Sequence, residues 1–148
     1  MPKFAPGRLS WLMPTTRVSK PVSQWTDPRH RRGYQGERVA IAYLLRLGWR
    51  IEAHRFRLGH HDLDLVARRG RLVAFVEVKT RRSARFGTAV ESIGHRKRAI
   101  VSRLAELWRV RFGGPEDHYR FDVITVEERE SPWPQVTHIE GAWTGVEK

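Results

Sequence analysis

The stretch that decides the fold reads Asp62-Leu63-Asp64-Leu65-Val66 and, after a turn, Phe75-Val76-Glu77-Val78-Lys79. Polar residues recur at every second position, which is typical of β-strands because successive side chains point to opposite faces of a sheet. If Arg69 and Gly70 form a two-residue turn, residue 66 pairs with 73, 64 with 75 and 62 with 77. The two polar faces then coincide, and Asp64 is predicted to lie diagonal to Glu77, with about 7–8 Å between their backbones.

The chemistry of this face follows from its two acids and its ammonium group. Carboxylates on an otherwise apolar strand face are costly unless a cation neutralises them. Mg²⁺ prefers oxygen ligands, so Asp64, Glu77 and the backbone carbonyl of Val78 form a candidate site for Mg²⁺ or Mn²⁺. Such an ion activates water and neutralises phosphate charge, and Lys79 would orient that water or stabilise the transition state. The alternative interpretation is a surface Glu77–Lys79 pair on an amphipathic strand.

Two further charged residues occupy apolar helical stripes. Glu37 lies three and seven residues before Ala40 and Leu44, so it shares their face of a predicted helix. It either forms an ion pair inside the fold or points at the same ion, or it is a first-turn Glu favoured by the helix dipole. Lys97 precedes Val101 by four residues and either snorkels or faces phosphate.

The periodicity along the chain predicts two helices and five strands in the order α-β-β-β-α-β-β. The predicted helices are Gly36–Leu47, which ends at Gly48, and His95–Phe112, and the predicted strands are Trp49–Arg57, Asp62–Ala67, Leu72–Lys79, Arg120–Val126 and Gln135–Trp143. This order indicates an α/β fold with a small mixed β-sheet flanked by the helices.

Length and composition limit the classes of protein that this chain can represent. A chain of 148 residues suits one domain, which we place at residues 33–148 behind a flexible basic N-terminal arm, residues 1–32. The absence of cysteine excludes disulfides and thiolate metal sites. No apolar run is long enough to span a membrane, so no membrane partner is expected and a cytoplasmic protein is the default expectation.

The chain carries 28 Lys and Arg against 16 Asp and Glu, a formal charge of +12. A surplus of this size favours a polyanionic partner, of which nucleic acid is the commonest. Basic residues follow Lys79 and cluster on the second predicted helix, and the candidate nucleic-acid contacts are Arg81, Arg82, Arg85, Arg96, Lys97, Arg98 and Arg103. A solvated charged face is the alternative. Because no base-reading helix is evident, the pattern favours structure-selective or non-specific binding.

These motifs, in this order, resemble the PD-(D/E)xK nuclease superfamily and most closely the YraN-like bacterial proteins, which are similar to Holliday junction resolvases. The matching segments are Gly36-Glu37, Asp62–Ala67, Phe75–Arg81, Phe86-Gly87, Lys97, Arg120–Val123 and His138–Ala142. The resemblance covers residues 33–143, and Leu63 stands where the superfamily usually has Pro. It implies a restriction-endonuclease-like fold, nucleic-acid binding, Asp64 and Glu77 as metal ligands, Lys79 as catalytic lysine and Glu37 as an accessory acid.

The sequence therefore predicts a nucleic-acid-binding, Mg²⁺- or Mn²⁺-dependent endonuclease, with DNA favoured over RNA and a role in repair or recombination. One alternative is a non-catalytic nucleic-acid-binding module with the same fold. Another is an adaptor that contacts repair or recombination proteins through Glu127, Glu128 and Glu130. A homodimer is one expected assembly, because cutting two strands takes two sites.

Overall fold

The computed structural model describes residues 28–81, 93–128 and 132–144. Its elements are helix α1 (Pro28–Arg46), strands β1 (Arg50–Leu58), β2 (His61–Arg69) and β3 (Leu72–Arg81), helix α2 (His95–Phe112), and strands β4 (His118–Glu127) and β5 (Gln135–Trp143). This order, α-β-β-β-α-β-β, is the predicted one. The bounds of α2 and β5 agree with the prediction residue by residue.

Helix α1 begins at Pro28 rather than at the predicted Gly36. The prediction started too late because Gly33 and Gly36 weaken the helical pattern, whereas proline is well suited to the first turn of a helix. Residues 28–32, which we assigned to the arm, are therefore helical, and residues 1–27 lie outside the described residues. The predicted stop at Gly48 is confirmed, since this glycine has a φ of +85° just after the helix.

The five strands form one sheet in the order β1-β2-β3-β4-β5. Neighbouring strands are antiparallel except β3 and β4, which run parallel and are connected through helix α2. A parallel pair needs such a crossover connection, whereas the antiparallel pairs need only short turns. The result is the predicted mixed α/β fold. Within the described residues, neither helix is long and apolar enough to cross a membrane.

The turn between β2 and β3 differs from the prediction. Arg69 pairs with Leu72, so the two-residue turn consists of Gly70 and Arg71 rather than Arg69 and Gly70. Gly70 has a φ of +63°, which a glycine adopts without steric cost. The register is shifted by two residues from the predicted one. Because side chains alternate with a period of two, this shift keeps Val66 and Phe75 on one face, as predicted. The alternation is interrupted farther along β2, because Leu63 packs in the same core as Val66, whereas Leu65 packs in the other.

The sheet has an apolar core on each face. One core packs sheet residues, including Phe75, against Leu104 and Trp108 of α2. The other packs the opposite face of the sheet, including Val76, against Ala40 and Leu44 of α1. Strands β2, β3 and β4 are therefore buried on both sides, and any charged side chain on them must have a partner or a function.

Candidate active site

The two acids singled out in the sequence meet where strands β2 and β3 separate. Their ladder ends at the pair Leu65–Val76, and the next pair in this register is Asp64 opposite Glu77. The Asp64 carboxylate continues the connection, because its Oδ2 accepts a hydrogen bond of 2.9 Å from the backbone N–H of Val78. In this register Asp64 and Glu77 are direct neighbours at the open end of the ladder rather than diagonal ones as predicted, and the charge of Asp64 acts on Glu77.

The Asp64–Glu77 pair consists of a half-buried and a buried acid, and it is only partly satisfied by hydrogen bonds. Glu77 is 2% exposed, and its Oε1 has no accessible surface and no hydrogen-bond partner within the described residues. Burial, together with the charge of Asp64, raises the pKa of Glu77 well above its usual value. Burial and the neighbouring charge of Glu37 raise the pKa of Asp64 to about 6. Two buried like charges repel each other, so the pair favours protons or a cation.

Two ammonium groups flank this pair. The Nζ atom of Lys97, in the first turn of α2, lies 3.7 Å from Oε2 of Glu77. Lys79 is half-buried on β3, two residues from Glu77 and on the same face, and it forms no ion pair or hydrogen bond with any described residue. Both lysines counteract the rise in the pKa of Glu77, and Lys97 has the larger effect. From the sequence, Lys97 is expected to snorkel or to face phosphate, so its contact with Glu77 is a finding of the structure.

Glu37 forms an ion pair inside the fold, one of the alternatives left open by the sequence. Its two oxygens accept hydrogen bonds of 2.6 to 3.2 Å from Arg55, and Oε1 lies 3.3 Å from Nε2 of His54 without hydrogen-bond geometry. Burial alone would raise the pKa of Glu37, but these two neighbours lower it below its usual value. Glu37 remains close enough to Asp64 to raise the pKa of that acid.

The position of Glu37 depends on a close approach between α1 and β3. A Cβ atom at Gly36 would overlap the hydroxyl of Thr80, which directly follows Lys79. Only glycine lets the helix backbone come this near to the strand. Gly36 therefore places the first buried turn of α1 beside the end of β3 that carries the acid and the lysine.

Arg55 was not singled out in the sequence. It lies on β1 with a φ of +55°, the only described residue other than glycine with a positive φ. This backbone conformation is costly for an arginine, and such strain is often found near functional sites. Its guanidinium binds Glu37 and also interacts electrostatically with Asp62 and Asp64. The basic residues of β1 carry no period that would distinguish Arg55 from Arg57, so only the tertiary contacts identify it.

The acid pair fits a divalent cation. Among the described residues, no group of three His, Asp or Glu side chains is arranged to hold an ion. Two carboxylates are nevertheless enough for Mg²⁺, which keeps several of its waters, and Glu77 Oε1 is a buried oxygen atom that lacks a partner. Asp64, Glu77 and the carbonyl of Val78 are therefore the residues that could hold such an ion. Asp62 is half-buried nearby, and its negative charge raises the pKa values of both Asp64 and Glu77.

The predicted nucleic-acid contacts are only partly within the described residues. Arg96, Lys97 and Arg98 form the exposed or half-buried first turn of α2, next to Glu77, and Arg103 is exposed farther along that helix. Arg81 is half-buried at the end of β3. Arg82 and Arg85 lie outside the described residues.

A hydrogen-bond network around Asp122 on β4 lies apart from the Asp64–Glu77 pair. Asp122 is fully buried and accepts hydrogen bonds from Arg120, the N–H of Gly141 and the ring of His138. His138 also contacts the hydroxyl of Tyr43 at 3.2 Å, so this network ties α1 to β4 and β5. Burial would raise the pKa of Asp122, but these bonds lower it.

Comparison with known proteins shows the family to which this chain belongs. Residues 36–126 match a family described as "Uncharacterised protein family UPF0102". A UPF0102 protein of Mycolicibacterium vanbaalenii is 39% identical over 78% of this chain and 96% of its own length. A second, from Mesorhizobium japonicum, is 41% identical over 78% of this chain and 89% of its own length. A third, from Geobacter sulfurreducens, is 37% identical over 83% of this chain and 96% of its own length.

Proposed function

This protein belongs to UPF0102, the YraN-like family, and we propose that it is a metal-dependent phosphodiesterase that binds and cleaves nucleic acid. The observation that carries this proposal is the Asp64–Glu77 pair, in which Oε1 of the buried Glu77 has no hydrogen-bond partner among the described residues. A stable fold rarely retains such a pair without a reason, because each buried unpaired polar atom costs about 1–3 kcal/mol. A required cation is the simplest reason.

Each residue of the site has a distinct role in this proposal. Asp64 and Glu77, with the carbonyl of Val78, hold Mg²⁺ or Mn²⁺, and the bound ion supplies a Lewis acid for the attacking water and the phosphate. Lys79 points from the same face with no partner among the described residues, so its ammonium is available to orient the water or to stabilise charge that develops on the phosphate. Glu37 acts indirectly: its negative charge raises the pKa of Asp64, while its own carboxylate is bound to Arg55.

The charge of the protein supports nucleic acid as the substrate. The formal charge is +12, and basic residues of β3 and α2 lie beside the acid pair. Contacts from Lys and Arg to phosphates give binding that weakens steeply with salt and carries little sequence information. We therefore propose DNA as the first substrate to test, in branched, flapped and single-stranded forms.

A non-catalytic binding module with the same fold is the second candidate. The observation that favours it is the lack, within the described residues, of a third acid arranged with the pair to hold an ion. Such a module would bind nucleic acid with strong salt dependence and would cleave none of the substrates. The two candidates are therefore separated by activity and not by affinity.

A cleavage assay tests the proposal. The protein is incubated with Mn²⁺ and labelled branched, flapped and single-stranded DNA, and it is compared with Glu77→Gln and with the control Glu116→Gln. Glu116 is an exposed acid just before the start of β4, so its variant matches the charge change. We expect cleavage by the parent and the control, and none by Glu77→Gln, which keeps its affinity for DNA. Equal cleavage by all three, or no cleavage of any substrate, would refute the enzyme proposal.

A further inference from the structure

The acid pair is flanked by lysines, whereas the other buried acids of this protein bind arginine. Among the described residues, the buried acids apart from Glu77 are Glu37, Glu52 and Asp122. Each of these three accepts a hydrogen bond of 2.6 or 2.7 Å from an arginine. Only five of the 28 basic residues of the chain are lysines. The two that the structure describes, Lys79 and Lys97, both act on Glu77, so lysine is a specific feature of this site.

The contact between Lys97 and Glu77 is one that a lysine can leave. The Nζ atom lies 3.7 Å from Oε2, which is beyond hydrogen-bond distance, and the lysine side chain is 37% exposed whereas that of Glu77 is 2% exposed. An ammonium is a point charge on a flexible stem, whereas a guanidinium is a planar fork that holds an acid at two points. The acid is therefore fixed by burial, and the lysine beside it can change its partner.

Helix α2 by itself does not favour a lysine at position 97. This residue lies in the first turn of the helix, where the partial positive charge of the helix end disfavours a cation. The charge of Lys97 nevertheless acts on both acids, because it counteracts the rise in the pKa values of Glu77 and Asp64. The acid pair thus accounts for this ammonium group better than the helix does.

We propose that Lys97 is a second active-site lysine that exchanges partners. In the metal-free protein it balances Glu77, and once a divalent cation occupies the acid pair it binds a phosphate oxygen of the nucleic acid. The inference rests on the proposed function, because it takes the acid pair as the cation site and nucleic acid as the partner. Before the exchange, Lys97 offsets part of the repulsion between two like charges. After it, Glu77 is already neutralised, and the ammonium can neutralise phosphate instead.

This exchange couples the binding of the cation to the binding of nucleic acid. While Lys97 lies beside Glu77 it competes with the cation, so cation binding by itself is weakened. Once the cation is bound, the released ammonium strengthens the contact with phosphate, and each ligand therefore raises the affinity for the other. A lysine that only supports the fold has neither effect. A lysine that contacts phosphate in both states leaves the coupling unchanged.

The first measurement is the affinity for Mn²⁺ without DNA. Lys97→Met removes the ammonium, and Arg103→Met is the matched control, since Arg103 is an exposed basic residue farther along α2. Titration calorimetry is carried out at alkaline pH, where protons compete least for the acids. We expect Lys97→Met to bind Mn²⁺ about fivefold more tightly than the parent, and Arg103→Met to differ by less than about twofold. Equal affinities of the parent and Lys97→Met would overturn the proposal.

The second measurement is the coupling, in proteins that all carry Lys79→Met so that the proposed catalytic lysine is absent. Affinity for a labelled branched DNA is measured by fluorescence anisotropy with and without saturating Mn²⁺. We expect Mn²⁺ to strengthen binding, and the added Lys97→Met to reduce this gain about fivefold. The added Arg103→Met should leave the gain unchanged. An equal gain with and without Lys97, or an equal loss in both double variants, would overturn the proposal.

The exchange and the enzyme proposal fail in different ways. If the parent cleaves DNA but Lys97→Met binds Mn²⁺ like the parent, the exchange is refuted and the enzyme proposal stands. If Lys97→Met shows tighter Mn²⁺ binding and weaker coupling but the parent cleaves no substrate, the enzyme proposal is refuted and the exchange is supported. A parent protein that binds no Mn²⁺ refutes both.

Discussion

Two buried groups of acids lie on this sheet, and they are neutralised in opposite ways. In the first, Glu52 and Asp117 both bind Arg68, with distances of 2.6 to 2.9 Å, and all three side chains are almost fully buried. In the second, Asp64 and Glu77 face each other, and the nearest cation, Lys97, reaches only one oxygen, at 3.7 Å. The first group is neutralised by close contacts, whereas the second has, among the described residues, only one long contact with a cation.

The difference distinguishes a structural ion pair from a candidate binding site. Glu52 lies at a β-bulge between Ile51 and Ala53. Arg68 forms hydrogen bonds with both Glu52 and Asp117, so this group is neutralised by the protein itself. Removing one partner from such a group leaves an uncompensated buried charge. The Asp64–Glu77 pair is only partly compensated among the described residues, and the pKa values of both acids are raised. Strongly shifted pKa values of neighbouring acids are characteristic of functional sites.

The largest expected difference in stability between the two groups appears when the cation nearest to each is removed. Arg68→Met should lower the free energy of unfolding by about 3–5 kcal/mol, because Glu52 and Asp117 would lose their buried partner. Lys97→Met should change it by less than about 1 kcal/mol, because Lys97 is 37% exposed and its single contact is long. Urea unfolding in EDTA measures both values. A larger loss for Lys97→Met than for Arg68→Met would contradict the comparison.

Divalent cations should stabilise only the incomplete group. At a free Mn²⁺ concentration a hundred times the dissociation constant, the parent protein gains about 2.7 kcal/mol, which appears as a higher melting temperature. The variants Asp64→Asn and Glu77→Gln should show no such increase. Glu116→Gln, which changes an exposed acid, is the control and should respond like the parent. A shift of the same size in all four proteins would place the ion elsewhere.

The pH dependence of stability should have opposite signs at two buried acids. The pKa of Asp64 is raised from 3.8 to about 6. In the metal-free protein, the stability that comes with protonated Asp64 is therefore present below pH 4 and lost as the pH rises through 6. We expect the parent to lose on the order of 2 kcal/mol relative to Asp64→Asn across this window. The pKa of Asp122 is lowered, so its contribution is present above its ordinary pKa and lost as the pH falls. Urea unfolding of the parent, Asp64→Asn and Asp122→Asn measures both trends, and equal slopes would contradict the assignment.

The smallest effect concerns the backbone at Arg55. Its φ of +55° favours glycine, so Arg55→Gly should be more stable than Arg55→Ala by about 1 kcal/mol, although both lose the ion pair with Glu37. Thermal unfolding of the two variants gives the difference directly, since each serves as the control for the other. A more stable alanine variant would show that the conformation at this position relaxes when the arginine is removed.

The secondary structure was largely predictable because its periods are strong. Strand β5 and helix α2 agree with the predicted bounds, and Asp64 and Glu77 lie side by side where β2 and β3 separate. The start of α1 was not predictable, because glycine residues interrupt its pattern and the packing of the helix on the sheet overrides that local weakness. The register of the β2–β3 turn was wrong by two residues, since both Arg69-Gly70 and Gly70-Arg71 are acceptable turn sequences.

Sequence by itself determined which residues this protein has for chemistry: two acids and a lysine at alternate positions, in a chain with a large positive charge. Alternation is a local property of the backbone, so it can be read from the order of residues. Tertiary structure alone decided which charges meet, because Glu37 finds Arg55 and Glu77 finds Lys97 across elements that are far apart in the chain. It also decided that one oxygen of Glu77 has no partner among the described residues, and burial is what makes that oxygen a candidate ligand.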